Sequence, residues 1–201
     1  MTSRLTGIDK RCLGCRINNN LCVCEYIHPV ESQNLISLVV HVNELKLTSN
    51  TPYFVNKLLP NQANIYIRGR VNEVFDAAPI MERPGYPIFL YPTEDAIVLD
   101  EDFKQKFPGP YHLIVPDGNW HQARRVKKRE EAFKPVQSVK LPEGIVGEYL
   151  LRRAPQPEWL STFEAVAHAL GILERVDLKN HMITFFRHWV KTTIQNRKYG
   201  C

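Results

Sequence analysis

Four of the five cysteines in this 201-residue chain lie between residues 12 and 24. Their spacing is C-x2-C-x6-C-x-C, and they are Cys12, Cys15, Cys22 and Cys24. Disulfide frameworks usually spread cysteines over the fold, whereas this cluster would close only very short loops. Four neighbouring thiolates are typical of a structural zinc site, in which a C-x2-C pair turns both sulfurs toward one ion. We therefore predict a structural zinc knuckle, with an iron–sulfur cluster or unliganded thiols as alternatives.

A second candidate site lies at residues 115–120, which read Val-Pro-Asp-Gly-Asn-Trp. Asp117 ends a predicted strand, and Trp120 begins a predicted helix. A carboxylate at the end of a strand can accept a proton or hold an ammonium group, and a neighbouring ring can stack on an exposed base. The structural alternative is that Asp117 or Asn119 simply caps the helix. Both interpretations stay open at this point.

Positive charge is concentrated just after this loop. The chain carries 26 Lys and Arg against 21 Asp and Glu, which gives a net charge of +5 and a pI near 9.0. Residues 124–129 read Arg-Arg-Val-Lys-Lys-Arg. An RNA backbone is a natural counter-charge for such a run. A solvated helix face is the alternative, since Glu130 and Glu131 follow and partly neutralise the run.

The elements that must position these residues alternate between strands and helices. Strands are predicted at residues 35–42, 63–67, 88–91, 96–99, 111–115 and 136–141. Helices are predicted at residues 50–59, 120–133, 161–175 and 178–197. Short, almost entirely apolar strands between helices are typical of a sheet that is buried on both faces. The pattern predicts an α/β fold with a mostly parallel sheet and flanking helices, which binds ligands beyond the carboxyl ends of its strands.

Composition excludes several classes of protein. The chain is 44% hydrophobic and 23% charged, as expected of a globular protein. No apolar run approaches the ~20 residues of a membrane span, and the first residues lack the apolar core of a signal peptide. We therefore expect a cytoplasmic protein without a membrane partner. The phosphate-binding motifs GxGxxG and GxxxxGK[ST] do not occur, which argues against dehydrogenases and nucleoside triphosphatases.

Taken together, these motifs resemble the DTW-domain family, the tRNA-uridine aminocarboxypropyltransferases. The family's name motif, D-x-[TS]-W, is present as residues 117–120, with Asn119 in place of the usual threonine. The other blocks occur in the family's order: the cysteine knuckle, H-x-x-E…(S/T)-N-T at 41–51, (F/Y)-P at 91–92, Y-x-L-R at 149–152 and L-S-T-x-E-A at 160–165. No block is specific alone, so the ordered set carries the resemblance.

The resemblance implies a fold similar to the SPOUT class of RNA-modifying enzymes, with a C-terminal knot that holds S-adenosylmethionine. It also implies transfer of the 3-amino-3-carboxypropyl group to N3 of a tRNA uridine, at position 47 of the variable loop, with release of methylthioadenosine. An RNA methyltransferase on the same scaffold and a non-catalytic zinc-knuckle RNA-binding protein are the alternatives. We expect a four-cysteine segment at 1–32 and a DTW catalytic domain at 33–201, either monomeric or homodimeric, without an obligate protein partner.

The expected catalytic residues follow from the chemistry that the resemblance implies. The uridine N3–H is a weak acid, so a carboxylate is needed as general base. Asp117 is the first candidate and Glu164 the second, although Glu164 also fits a capping box with Ser161. Trp120 is expected to stack on adenine or on the target base.

The expected binding residues fall into two groups. Arg152 is expected to clamp the donor carboxylate, and Arg153 to hold the same carboxylate or an RNA phosphate. Further donor-binding candidates are Asp117, Gly118, Gly144, Gly147, Ser161 and Thr162. The RNA-binding candidates besides Arg153 are Arg124, Arg125, Lys127 and Lys128.

Overall fold

The computed structural model describes residues 11–151 and 159–199, without the side chains of Trp120 and of residues 196–199. Its centre is a six-stranded sheet with the order β2-β1-β5-β3-β6-β4. The strands are β1 Leu35–His41, β2 Ala63–Arg68, β3 Tyr86–Leu90, β4 Ile97–Val98, β5 Tyr111–Asp117 and β6 Gln137–Lys140. Neighbouring strands pair in parallel throughout. The predicted strands and the parallel α/β class are therefore confirmed.

The helices flank this sheet. They are α1 Pro52–Leu58, α2 Ala78–Met81, α3 Glu101–Lys106, α4 Trp120–Arg129, α5 Thr162–Leu173 and α6 Val176–Tyr199. The four longest were predicted, but α4 is shorter than expected because a 3-10 turn at Glu131–Phe133 replaces its last part. The sequence analysis missed α2 and α3, which are too short to show a clear apolar period.

Apolar layers cover both faces of the sheet because side chains alternate along each strand. On one face, Leu38 and Val115 belong to a core that includes residues of α1, α5 and α6. On the other face, Val39 and Ile114 pack in a smaller cluster with Val126 of α4. The inner strands β1 and β5 therefore carry almost entirely apolar runs, as the sequence predicted.

Helix α6 supplies the aromatic centre of the larger core. The Trp189 ring centroid lies 4.8 Å from that of Phe54 and 5.6 Å from that of Phe186. Phe186 also stacks on Phe163 of α5 at 4.9 Å. All four side chains are buried, so the apolar stripe of α6 is core. None of the described helices combines the length and apolar character that a membrane crossing requires.

The cysteine-rich segment packs directly on this core. Cys15, Ile17 and Val23 are buried and belong to the larger apolar cluster. Tyr53 of α1 donates a hydrogen bond from Oη to the carbonyl oxygen of Gly14 at 2.5 Å. The segment is thus attached to α1 by both apolar and polar contacts, while the division at residue 32 stays a prediction.

Candidate active site and metal centre

The four clustered cysteines have the geometry of a tetrahedral metal site. The Sγ–Sγ distances are 3.5 Å for Cys12–Cys24, 3.4 Å for Cys12–Cys22 and 3.7 Å for Cys15–Cys22, and all four sulfurs lie within 4.8 Å of one another. No disulfide joins these cysteines. A zinc ion with Zn–S bonds of ~2.3 Å places its sulfurs about 3.8 Å apart, so this donor set fits zinc. A Cβ at Gly14 would lie 2.7 Å from the Sγ of Cys24, so the turn needs glycine.

The local backbone prepares one of these thiols to act as a ligand. A hydrogen bond from the backbone N–H of Cys15, with further hydrogen bonds from Cys22 and Cys24, lowers the pKa of Cys12 to about 6. Burial acts in the opposite direction on Cys15 and raises its pKa. A metal ligand must be a thiolate, so a bound cation would offset the cost of a charged sulfur at Cys15.

A cavity of about 1170 Å³ lies at the carboxyl end of the sheet. Its walls come from the ends of β3, β5 and β6, the segment after β1, the loop at 141–150 and the start of α5. Small-molecule sites usually measure ~300–1,000 Å³, so this cavity has room for a ligand and part of a second one. The position agrees with the expectation for a parallel α/β sheet.

Asp117 lies on the floor of this cavity. It is the last residue of β5 and is 9% exposed. Its Oδ1 accepts a hydrogen bond from Thr162 Oγ1 at 2.6 Å, and Thr162 is the first residue of α5. This bond joins the end of β5 to the start of α5 and holds one carboxylate oxygen in a defined orientation.

The capping role belongs to Asn119 and not to Asp117. Asn119 Oδ1 accepts from the Gln122 backbone N–H at 3.0 Å, and Gln122 Oε1 accepts from the Asn119 N–H at 2.8 Å. Asn119 is thus a good substitute for threonine at this position. A Cβ at Gly118 would lie 2.8 Å from Gln122 Oε1, so the cap requires glycine there. Trp120 begins α4, and its side chain is outside the described part of the structure.

Glu164 is held in a capping box and does not line the cavity. It is 2% exposed, and its Oε2 accepts from the Ser161 N–H at 2.8 Å and from Ser161 Oγ at 2.7 Å. Its Oε1 accepts from the Glu148 N–H. Since both oxygens are already engaged with the chain, the geometry argues against Glu164 as the general base and favours a positioning role.

The expected donor-binding residues are partly brought together. Gly118, Gly144, Gly147, Ser161 and Thr162 all line the cavity with Asp117. Gly144 has a φ of +87°, so the turn after β6 depends on it. The two expected arginines, Arg152 and Arg153, lie outside the described residues.

The basic run on α4 divides into exposed and buried side chains. Arg124, Arg125 and Lys128 are exposed. Lys127 is only 13% exposed, and its Nζ donates to Val136 O at 2.7 Å and to the Ser138 hydroxyl at 2.6 Å. Lys127 therefore joins α4 to β6, which argues against the expected RNA-binding role for this residue.

Sequence reasoning missed two charged residues that line the cavity, Lys140 and Glu143. Lys140 is the last residue of β6, and Glu143 lies in the loop that follows. The sequence could have identified them, because both residues lie at or just after the carboxyl end of a predicted strand, where this fold class binds ligands. None of the motifs that carry the resemblance to the family contains them.

The profile of the DTW domain matches residues 9–194, so the chain belongs to the DTW-domain family. It is 27% identical over 169 residues to tRNA-uridine aminocarboxypropyltransferase 2 of Macaca fascicularis, which covers 82% of this chain and 56% of the relative. The protein of that name in Drosophila melanogaster is 28% identical over 180 residues, 86% of this chain and 70% of the relative.

A plant relative, tRNA-uridine aminocarboxypropyltransferase A of Arabidopsis thaliana, is 25% identical over 190 residues, 81% of this chain and 72% of the relative. The chain spans just over half the length of the mammalian relatives that it matches. No solved structure matches the chain significantly.

Proposed function

We propose that this protein is a tRNA-modifying transferase that moves the 3-amino-3-carboxypropyl group of S-adenosylmethionine to N3 of a uridine, at position 47 in the variable loop. The observation that carries the proposal is Asp117, a motif carboxylate on the floor of a large cavity at the carboxyl end of the sheet. The names of the related proteins support the same activity.

The cavity suits a cationic donor with an adenosine moiety. Leu90, Val115 and Leu141 supply apolar wall for a purine ring. Asp117 and Glu44 line the cavity and are almost fully buried, so their negative charge would favour a positive sulfonium. The remaining volume leaves room for a base that has been turned out of the RNA stack.

Asp117 is proposed to take the N3 proton of the target uridine. The freed nitrogen then forms a bond to the methylene carbon of the aminocarboxypropyl arm that is attached to sulfur, the bond between that carbon and sulfur breaks, and methylthioadenosine leaves with the electron pair. Thr162 orients the carboxylate through its hydrogen bond to Oδ1. Holding the reacting groups in line is the main contribution of such a site.

The exposed cations of α4 are proposed to bind the tRNA backbone beside the cavity. Asn119, the cap residue of α4, and Ala123 in its first turn line the cavity, so this helix begins beside the cavity. Burial raises the pKa of Tyr91 in the cavity wall, and the positive charge of Arg124 opposes that rise. Arg124 is therefore within electrostatic reach of the cavity wall, as a phosphate-binding residue beside the target base should be.

The four cysteines are proposed to hold a structural Zn²⁺ ion, which would supply cross-linking of the knuckle and no chemistry of the reaction. The SPOUT-like class, the C-terminal knot and the cytoplasmic location stay predictions. The interleaved strand order, in which β5 lies between β1 and β3, is compatible with a knotted chain.

The test is incubation of the purified protein with unmodified tRNA and S-adenosylmethionine. Mass spectrometry should show tRNA that has gained the aminocarboxypropyl mass on a uridine, together with methylthioadenosine. Release of S-adenosylhomocysteine would instead indicate a methyltransferase. Tight tRNA binding without either product would indicate a non-catalytic RNA-binding protein, and both of these results overturn the proposal.

A further inference from the structure

Two segments that pack against each other carry an excess of positive charge. Residues 11–24 and residues 45–59 contain no Asp or Glu. They contain four cations, which are Arg11, Arg16, Lys46 and Lys57. A zinc ion held by four thiolates would carry two negative charges, which offset only half of these four cations. The region where the two segments meet therefore stays positive with the metal bound.

The ring of Tyr53 brings these cations together. The guanidinium carbon of Arg16 lies 4.1 Å from the ring centroid, and Lys57 Nζ lies 5.5 Å from the same centroid. Arg11 Nη1 donates a hydrogen bond to the carbonyl oxygen of Arg16 at 3.3 Å, which adds a third cation beside them. Three positive side chains from two segments are thus joined by direct contacts, and the aromatic ring holds two of them in place.

Leu13 adds an exposed apolar side chain to this surface. It is 94% exposed, in the turn of the first cysteine pair. The next residue, Gly14, accepts the hydrogen bond from Tyr53 Oη, so this turn is fixed against the ring that carries the cations. The flat face of an unstacked nucleobase would cover such a side chain. We call this surface the knuckle face, and it consists of Arg11, Leu13, Arg16 and Lys57.

The cations of the knuckle face are not neutralised within the part of the chain that the structure describes. None of them forms an ion pair with a described carboxylate, whereas exposed cations elsewhere do, such as Arg187 with Glu148. Arg16 donates one hydrogen bond from its side chain, to Leu45 O at 3.2 Å, and a guanidinium has five N–H donors. The knuckle face is therefore complementary to a polyanion.

The knuckle face adjoins the wall of the cavity. Leu45, which accepts from Arg16, follows β1 in the segment where Glu44, Ser49 and Thr51 line the cavity. Helix α1 packs in the larger core on one face of the sheet, and α4 packs in the smaller cluster on the other face. The knuckle face and the exposed cations of α4 therefore lie on either side of the sheet edge that holds the cavity.

We propose that the knuckle face is a second binding surface for tRNA, in which its three cations hold phosphate groups and its leucine covers an exposed base. The inference rests on the proposed function, because it takes the tRNA substrate as the partner. A tRNA whose target uridine enters the cavity crosses this edge of the sheet, so α4 holds its backbone on one side and the knuckle face on the other. Holding the RNA on both sides fixes the position of the target base.

The experiment measures the affinity of the full-length protein for unmodified tRNA at several salt concentrations. Lys57→Gln removes one phosphate contact, so it should weaken binding about three- to tenfold and reduce the salt slope by about 1. Leu13→Ser should weaken binding about threefold without changing the slope, because an apolar contact releases no counterion. Lys57→Gln combined with Arg11→Gln should reduce the slope by about 2.

Lys106→Gln is the matched control. Like Lys57, Lys106 is exposed, lies in the last turn of its helix and approaches an aromatic ring, with Nζ 5.2 Å from the centroid of Phe107. It precedes β5 and so lies at the amino edge of the sheet, opposite the cavity. This variant should keep the affinity and the salt slope of the wild type. All variants should also keep the Tm and the zinc content of the wild type.

The outcomes separate the inference from the proposed function. Wild-type affinity and slope in both Lys57→Gln and Leu13→Ser would overturn the inference and leave the proposed function intact. Equal losses in Lys57→Gln and Lys106→Gln, or losses accompanied by a lower Tm, would also overturn it. If the knuckle-face variants lose affinity as expected but the wild type releases no methylthioadenosine, the proposed function fails alone. If the wild type does not bind tRNA, both fail.

Discussion

The cysteine knuckle and the cavity are built in opposite ways. The knuckle gathers four cysteine sulfurs from residues 12–24, and its shape depends on tight turns such as the one at Gly14. The cavity gathers its residues from segments between Glu44 and Ala165. Its key contact, from Thr162 to Asp117, joins residues 45 positions apart. A metal can hold the first site together, whereas only the packed sheet can hold the second.

This difference predicts which property of the protein a substitution at each site will affect. Loss of one sulfur would remove a proposed metal ligand from a short segment whose other internal hydrogen bonds are those of its turns. Loss of one cavity side chain leaves the sheet intact, since the core beneath it is buried independently. We therefore expect changes in the knuckle to act on stability, and changes in the cavity to act on activity.

The largest effect is expected from the knuckle. Cys15→Ser should abolish zinc binding and lower Tm by about 10 °C or more, because Cys15 is both a proposed zinc ligand and a buried core residue. Elemental analysis and calorimetry measure the two effects. Cys201→Ser is the matched control and should melt like the wild type. Wild-type protein that contains no zinc would disprove the metal site.

The second-largest effect is expected from the cavity, where a substitution should lower turnover and leave stability unchanged. Asp117→Asn keeps the shape of the side chain and an oxygen for Thr162 but cannot accept the N3 proton. Turnover should fall by ~100- to 10,000-fold, while binding of tRNA and methylthioadenosine stays the same. Single-turnover kinetics on tRNA measures this loss. Retained turnover in Asp117→Asn would show that this carboxylate does not accept the N3 proton.

A third pair of variants tests helix α4 beside the cavity. Lys127→Met should lower the free energy of unfolding by about 1–3 kcal/mol, because Val136 O and the buried Ser138 hydroxyl lose their donor, and it should not change tRNA affinity. Arg124→Glu combined with Lys128→Glu should weaken tRNA binding at least tenfold and flatten its salt dependence, with Tm unchanged. If Lys127→Met weakened tRNA binding and the double variant lowered Tm instead, the structural and RNA-binding roles would be exchanged.

The smallest effect is expected where the knuckle meets α1. Tyr53→Phe removes the hydrogen bond to Gly14 O but keeps the ring that the Arg16 guanidinium covers at 4.1 Å. The free energy of unfolding should fall by about 1 kcal/mol, a shift of ~2–4 °C in Tm, with zinc content unchanged. Loss of zinc from this variant would show that the knuckle depends on α1 for its metal and is not a local unit.

Much of this architecture could be predicted from local patterns. The apolar runs predicted the strands because burial on both faces leaves few alternatives for such segments. The S/T-x-x-E pattern at 161–164 predicted the start of α5, since a capping box is completed within four residues. Helices α2 and α3 were missed because four and six residues do not establish a helical period.

The roles of individual charged residues could not be predicted in the same way. Lys127 and Lys128 are neighbours in the sequence, but one points to Ser138 of β6 and the other to solvent. Glu164 and Asp117 are both motif carboxylates, but only Asp117 reaches the cavity. These distinctions depend on which elements pack together, and no spacing of residues encodes that directly.

By itself, the sequence determined the cysteine cluster and the alternating elements, since these follow from short spacings and apolar patterns, and it contained the ordered motifs of the family. The tertiary structure alone decided that Asp117 meets Thr162, that Lys127 is buried, and that Lys140 and Glu143 line the same cavity as Asp117. The physical reason is the interleaved strand order, which brings the ends of distant strands together at one edge of the sheet.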